Sequence, residues 1–183
     1  MQHTLKFILA SLAIFMSACT GSIIQHSAPI LLNPYCKIAV LPFANNTETP
    51  LAGERAMSIT GAELQSFGIH NVVVYQSRSQ GKILFPGMNK VESQQALLAW
   101  ARSTHARLAM TGSVNEWSYK VGLDGEPVVG INMQLIDLAS GKIIWTAVAS
   151  RSGGSRQAVS TVAQQVIDAM LKSLSHLKKN YVG

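Results

Sequence analysis

Short apolar runs alternate along the chain with segments whose apolar residues recur at helical spacing. Lys37–Phe43 is a nearly continuous apolar run, which is typical of a central strand buried on both faces. Residues 51–67 carry apolar side chains at helical spacing and are followed by Gly68, so they predict a first helix. The β-branched stretch Asn71–Tyr75 predicts a second strand, and Ile83–Phe85 predicts a short edge strand.

The second half of the chain predicts a helix, three long strands and a final helix. Ser93 precedes the helical pattern of Gln94–His105 as a typical N-cap, and Ser155 is expected to cap the last helix. The strands are predicted at Leu108–Tyr119, Val128–Leu138 and Ile143–Ala149, the last two joined by a hairpin turn. The order β-α-β-α-β-β-β-α predicts an α+β fold, in which helices pack on a mixed β-sheet with an antiparallel meander.

The N-terminus has the pattern of an export signal. Residues 1–18 contain one lysine, an apolar run too short to span a bilayer, and then small residues, so we predict a signal peptide. The sequence from Met16 to Cys19 (MSAC) resembles the lipobox of bacterial lipoproteins, in which the cysteine is diacylated and becomes the new N-terminus. An ordinary cleaved signal with an incidental cysteine is the alternative. Thr20 is not the aspartate typical of inner-membrane retention, which favours the outer membrane.

The segment after the cysteine separates the anchor from the folded chain. Residues 19–35 have no charged side chain and no clear period, so we interpret them as a tether to a single periplasmic α+β domain at residues 36–183. If Cys19 is acylated, Cys36 is the one remaining thiol. We interpret Cys36 as a small buried residue at the start of a strand, with a disulfide between chains as the alternative.

The distribution of charge argues against a nucleic-acid partner. The 183 residues contain 15 Lys+Arg and 9 Asp+Glu, a formal net charge of +6. The basic residues are dispersed without a stripe of interleaved aromatics, so we expect no nucleic-acid partner. Only 13% of the residues are charged, against about 25% in typical globular domains. The apolar share of 48% is ordinary, so the deficit does not indicate a disordered chain.

The familiar catalytic patterns are absent from the sequence. It has no nucleophile elbow, no HExxH helix and no glycine-rich phosphate loop. The histidines are scattered without metal-ligand spacing, so we expect no metal and no cofactor. Asp124 and Glu126 lie in one turn, whereas the two carboxyls of a glycosidase flank a bond from separate elements. We therefore predict no catalytic residues and a protein that is not an enzyme.

An acidic loop is the first candidate for an interaction surface. Glu116, Asp124 and Glu126 fall within eleven residues that contain a single base, Lys120, giving a local charge of −2 on a basic chain. A ligand-facing loop is the functional interpretation. A turn with solvated acids is the alternative.

An arginine loop is the second candidate. Arg151 and Arg156 flank a glycine pair before the last helix, a pattern suited to lipid phosphates or to the carboxylates of a neighbouring subunit. Solvation of both side chains is the alternative. The tryptophans are expected to pack in the core, with a position at a membrane rim as the alternative: Trp100, Trp117 and Trp145.

Three segments together resemble the PelC family, the outer-membrane lipoproteins of Pel exopolysaccharide secretion. They are KIAVLPFANNTETPLAGERA, ARLAMTGSVNEWSYKVGLDGEPVVGINMQLIDLASGKIIW and ASRSGGSRQAVSTVAQ, which begin at residues 37, 106 and 149. More loosely, IAVLPF, TGSV and LIDLASGKIIW resemble a wider periplasmic group that includes the curli-secretion subunit CsgG and the N-terminal domain of TolB.

The resemblance implies a non-enzymatic subunit of a homo-oligomeric ring, dodecameric in the family, beneath the outer membrane. Such a ring guides a cationic amino-sugar polymer through an acidic opening to an outer-membrane barrel, PelB. By this resemblance Asp124, Glu126 and Glu116 are candidates for the acidic surface, while Arg151 and Arg156 are candidates for membrane or subunit contact. PelC-like proteins also make aromatic membrane contacts, and Gly154 stands where we would expect one.

Two other functions stay open from the sequence. A regulatory periplasmic lipoprotein that activates a peptidoglycan synthase would have the same broad fold, and a monomeric state would favour it. An outer-membrane pore of the curli type would need long amphipathic strands. The one candidate, Trp117–Pro127, is too short and too polar for that role.

Overall fold

The computed structural model describes residues 22–76, 93–121 and 125–174. Within these ranges, six strands form one sheet and three helices pack against it. In chain order the elements are β1 (Ser22–His26), β2 (Ile38–Asn45), α1 (Ala52–Ser66), β3 (Val72–Val74), α2 (Gln94–Ser103), β4 (Leu108–Tyr119), β5 (Pro127–Asp137), β6 (Ile143–Ser152) and α3 (Val159–Leu171).

The sheet is mixed and has the strand order β1-β6-β5-β4-β2-β3. Strand β2 runs parallel to β3 and β4, because the connections through α1 and α2 return the chain to the same end of the sheet. Strands β4, β5 and β6 form an antiparallel meander. The predicted α+β fold, with a mixed sheet and an antiparallel meander packed by helices, is confirmed.

The core lies between one face of the sheet and the pair α1 and α3. Alternation along β5 directs Ile131, Met133 and Leu135 into this core, while the intervening Asn132 and Gln134 are only half-buried on the other face. Trp117 and Trp145 are fully buried, which confirms their predicted core packing. On the opposite face α2 covers a smaller apolar cluster around Leu41 and Ile136, and Trp100 of α2 packs edge-on against Tyr75. Burial of both faces of β2 explains its uninterrupted apolar sequence.

The two predicted helix caps have different outcomes. Ser93 caps α2, since its hydroxyl accepts a hydrogen bond from the backbone N–H of Ala96 at 3.3 Å. The prediction for Ser155 is wrong, because α3 begins at Val159 and Ala158 occupies its N-cap position without a side-chain hydrogen bond. The glycine pair is followed by a turn instead, in which the N–H of Gln157 donates to the carbonyl of Gly154.

Strand β1 is the principal difference from the predicted organisation. It lies inside residues 19–35, which the sequence predicts to be an irregular tether, and it pairs antiparallel with the outer edge of β6. All five of its residues are exposed, so no burial pattern marks the strand. Backbone pairing with a partner more than 120 residues away forms it. The strand predicted at Ile83–Phe85 lies outside the described residues.

The sheet has two ends with different chemistry, which we name by their turns. The β4–β5 end carries the connection between those strands, the loop from β2 to α1 and the loop from β6 to α3. The β5–β6 end carries the turn at residues 138–142 and the starts of β2 and β4. Because β1 is antiparallel to β6, its first residue, Ser22, lies at the β4–β5 end beside Arg151.

Gly112 in β4 provides a test of how tightly the sheet packs against its neighbours. A Cβ atom there would lie 2.1 Å from the carbonyl oxygen of Asn132 and 2.7 Å from the ring of Phe43. We expect Gly112→Ala to lower the free energy of unfolding by about 2 kcal/mol, as overpacking typically does. The measurement is urea unfolding of residues 20–183. The control is Gly154→Ala, where a Cβ meets nothing within 4 Å, and equal effects of the two variants would contradict the packing described here.

Candidate functional site

The acidic loop forms the connection between β4 and β5. The N–H of Lys120 donates to the carbonyl of Glu126 at 2.7 Å, which closes the two arms of the connection. The Lys120 ammonium lies 3.7 Å from Oε2 of Glu126, with the two side chains 52% and 45% exposed. Asp124 lies outside the described residues. Glu126 is therefore half-exposed, and the adjacent ammonium of Lys120 partly neutralises its charge.

Glu116 is the other acid of this end that the structure describes. It follows an irregularity in the pairing of β4 with β5 and is paired with Gly130. The glycine makes room for its side chain, because a Cβ at Gly130 would lie 3.1 Å from Oε2 of Glu116. Its neighbour Trp117 points into the core under α1 and α3, so Glu116 points to the opposite face of the sheet, where it is exposed. Glu116 forms no ion pair with the described residues.

The arginine loop lies beside the acidic loop. The N–H of Gly153 donates to the carbonyl of Pro127 at 2.8 Å, and the N–H of Val159 donates to the hydroxyl of Tyr119 at 3.2 Å. The bonds join the loop after β6 and the first residue of α3 to the strand ends that flank the β4–β5 connection. The arginine loop and the described part of the acidic loop therefore occupy the same end of the sheet, the β4–β5 end.

The two arginines differ in their surroundings. Arg151 is in β6, where it is paired with Val129 on one side and Ser22 on the other. Its Nε–H is buried and has no hydrogen-bond partner among the described residues, although the side chain as a whole is half-buried. Arg156 is exposed in the turn before α3. An anion bound at this loop would therefore meet one half-buried arginine and one exposed arginine.

Exposed apolar side chains accompany the charges at this end, a feature that the sequence interpretation missed. Leu51 and Tyr119 are each 51% exposed, and Val121 is fully exposed. Leu51 precedes α1 in a left-handed conformation, with φ of 62°. No periodic pattern marks these positions, because each lies in or beside a loop. The β4–β5 end therefore combines carboxylates, guanidinium groups and solvent-exposed apolar groups.

The start of β1 limits where the predicted lipidation site can be. Cys19 itself lies outside the described residues. Only Thr20 and Gly21 separate it from Ser22, and three residue steps span at most about 11 Å. Cys19 is therefore within about 11 Å of the β4–β5 end in every conformation that preserves β1.

Among the described residues, no helix is long and apolar enough to cross a membrane.

Cys36 is half-buried just before β2 and forms no disulfide with the described part of the chain. Burial raises the pKa of its thiol, an effect that the nearby Arg107 partly opposes and Asp137 reinforces. The sequence interpretation of Cys36 as a small buried residue at the start of a strand is confirmed in position but not in full burial, since the residue precedes β2 and is half-buried. Within the described ranges, no three His, Cys, Asp or Glu residues are grouped to hold a metal ion.

The architecture belongs to a class of mixed-sheet α+β domains that is represented among solved structures. A lipoprotein from Neisseria meningitidis shares the fold at 18% identity, with 75% of this chain and 96% of that chain covered and a TM-score of 0.54. No protein-family model matches the chain, and the search of curated proteins found no match.

Within that class the likeness is much stronger to one group. A PelC dodecamer from Paraburkholderia phytofirmans is 36% identical, with 85% of this chain and 98% of that chain covered and a TM-score of 0.72. A methionine variant of that dodecamer in another crystal form gives 35% identity, coverages of 85% and 99%, and a TM-score of 0.73. The chain belongs to the PelC family.

The raised pKa of Cys36 predicts its reactivity. A thiol whose pKa lies above the ordinary value holds less thiolate at neutral pH, and the thiolate is the nucleophile. We expect iodoacetamide to alkylate Cys36 in the folded chain more slowly than in urea. In the folded chain the alkylation rate should still increase at pH values at which the rate in urea has already levelled off. Mass spectrometry of quenched samples measures both rates, and equal or faster alkylation of the folded chain would contradict this environment.

Proposed function

We propose that this chain is a lipid-anchored periplasmic lipoprotein of the outer membrane that forms a ring and guides a Pel-type exopolysaccharide to its export barrel, PelB. In this proposal residues 1–18 are removed as a signal peptide, Cys19 carries the lipid and the remaining residues form one domain without enzymatic activity. One observation carries the proposal. The described part of the acidic loop lies at the same end of the sheet as Ser22, the first residue of β1, which follows Cys19 closely in the sequence.

The likeness to a dodecamer supports assembly into a ring. The PelC structures at 35% and 36% identity are dodecamers, and nearly all of each of their chains is covered. The small charged fraction of the sequence agrees with a subunit flanked by copies of itself. A closed ring repeats each local feature around its axis, so a weak charge cluster on one subunit becomes a continuous band.

The short link from Cys19 to β1 supports one orientation in the membrane. A tether of about 17 residues would let the domain tumble freely beneath the bilayer, whereas a link of at most about 11 Å holds the β4–β5 end close to the lipid. The exposed Leu51, Tyr119 and Val121 at this end favour contact with the interfacial region. In this orientation Arg151 and Arg156 are positioned to bind lipid phosphates.

The carboxylates supply the proposed attraction for the polymer. Glu116 has no cationic partner in the described structure. Oε2 of Glu126 lies 3.7 Å from the ammonium of Lys120, and both side chains of this ion pair are half-exposed. A surface ion pair of this kind contributes little free energy, so an ammonium group of the polymer is able to replace Lys120. Weak, repeated and exchangeable contacts suit a polymer that has to move on after binding. Asp124 adds a third negatively charged side chain to the acidic loop.

Charge reversal in the connection tests the proposed function. We expect Asp124→Lys with Glu126→Lys to abolish most binding of a cationic glucosamine oligomer to the mature protein and to reduce polymer export in cells. The physical reason is that each subunit would present ammonium groups where the polymer needs carboxylates. Binding is measured by fluorescence anisotropy at several salt concentrations, because an electrostatic contact weakens as salt increases.

A matched control separates this effect from a general change of charge. Asp168 is also in an ion pair with a lysine, Lys172, but it lies toward the other end of α3. Asp168→Lys and Glu126→Lys change the net charge equally, and only the second should weaken binding. Light scattering should show the same large oligomer for all variants. Equal effects of the two substitutions would contradict the polymer role, and a monomeric wild-type protein would favour the regulatory alternative.

A further inference from the structure

A cleft of about 630 Å³ lies at the β5–β6 end, away from both loops of the proposed polymer path. Its walls come from four separate parts of the chain: residues 30–37, the loop 105–108, Asp137 at the end of β5 and Ile144 in β6. This volume is within the range of ordinary ligand sites. Nothing in the proposed export role uses the cleft.

Positive charge dominates the polar part of the cleft. Lys37 is fixed there, since its ammonium donates to the carbonyl of Thr104 at 2.6 Å. The guanidinium of Arg107 is exposed and forms no hydrogen bond or ion pair with the described residues. Asp137 is the one acid of the lining, and its Oδ1 already accepts three hydrogen bonds from Ala139 and Ser140 in its own turn. The guanidinium of Arg107 is near enough to help lower the pKa of Asp137, but no described group forms a hydrogen bond or an ion pair with it, so an incoming carboxylate is able to bind it.

His105 adds a second indication at the rim of the cleft. It follows α2 with φ of 60°, the left-handed conformation in which glycine usually ends a helix. A residue with a Cβ is strained in this conformation, so the histidine keeps a donor-bearing ring at a position where glycine would be more stable. The loop is also held in place, because the N–H groups of Arg107 and Leu108 both donate to the carbonyl of Lys37.

The remaining wall is apolar and has unpaired backbone. Leu31 is 70% exposed, and the backbone N–H and C=O groups of residues 30–32 form no hydrogen bond with the described chain. Ile144 of β6 also lines the cleft and is exposed. Free backbone groups next to apolar side chains are what an extended peptide uses when it binds by strand-like pairing. A phosphate, free or on a lipid headgroup, would use the backbone N–H groups but would leave the carbonyl groups without a partner.

We propose that this cleft binds an extended acidic peptide segment of a partner protein. An acidic side chain of the segment would form an ion pair with Arg107, an apolar side chain would contact Leu31 and Ile144, and its backbone would pair with residues 30–32. In the proposed orientation the cleft opens away from the membrane, toward proteins that arrive from the periplasm. The inference rests on the cleft and does not require the ring or the polymer.

The test uses the mature lipidated protein and a fluorescein-labelled hexapeptide that alternates glutamate with valine or leucine. We expect it to bind more than tenfold tighter than the peptide with lysine in place of glutamate. Arg107→Glu should weaken binding at least tenfold, whereas Arg55→Glu, an exposed arginine on α1, should change it less than twofold. N-methylation of the peptide backbone should also abolish binding if strand-like pairing contributes as described.

Three results would overturn the inference. They are equal binding of the acidic and basic peptides, no binding of either, and equal effects of the Arg107 and Arg55 substitutions. A fourth concerns a different occupant: if Arg107→Glu breaks the oligomer while thermal unfolding shows a folded subunit, the cleft is filled by a neighbouring copy. Failure of peptide binding leaves the oligosaccharide measurement unaffected, so the two proposals are tested separately.

Discussion

The antiparallel pairing of β1 with β6 is the constraint on which the functional geometry depends. It sets Ser22 beside Arg151 and thereby ties the predicted lipidation site to one end of the sheet. Without this strand, residues 19–35 would be a long tether and either end of the domain could approach the bilayer. The pairing relies on backbone hydrogen bonds along a free sheet edge and on little burial, since all five residues of β1 are exposed.

The two ends of the sheet consequently have different proposed tasks. At the β4–β5 end, the acidic connection is joined by hydrogen bonds to the arginine loop, so carboxylates for the polymer and guanidinium groups for lipid phosphates lie close together. The ion pair of Lys120 with Glu126 moderates the acidic surface and favours exchange over tight binding. At the β5–β6 end, the cleft around Arg107 presents the opposite charge and free backbone groups, which suit an acidic peptide.

Much of the fold was predictable because strong local patterns agree with the tertiary structure. The continuous apolar run of β2 and the alternation in β5 each have one stable interpretation, and the observed strands differ from the predicted ones by a few residues. The exceptions depend on distant partners. Strand β1 exists because β6 has an edge to pair with, and α3 starts at Val159 because Gln157 and Gly154 bond to each other in the preceding turn. The cleft joins residues from 30 to 144, which no local pattern brings together.

The orientation of the domain beneath the membrane is the most direct test of this account. A fluorescent label is attached at Val121→Cys on the β4–β5 end or at Ser140→Cys in the turn of the β5–β6 end, each in a Cys36→Ser background, and both native side chains are exposed. The lipidated protein is inserted into vesicles that contain nitroxide-labelled lipid. We expect strong quenching of the label at position 121 and little at position 140. Equal quenching, or stronger quenching at position 140, would contradict an acidic opening that faces the membrane.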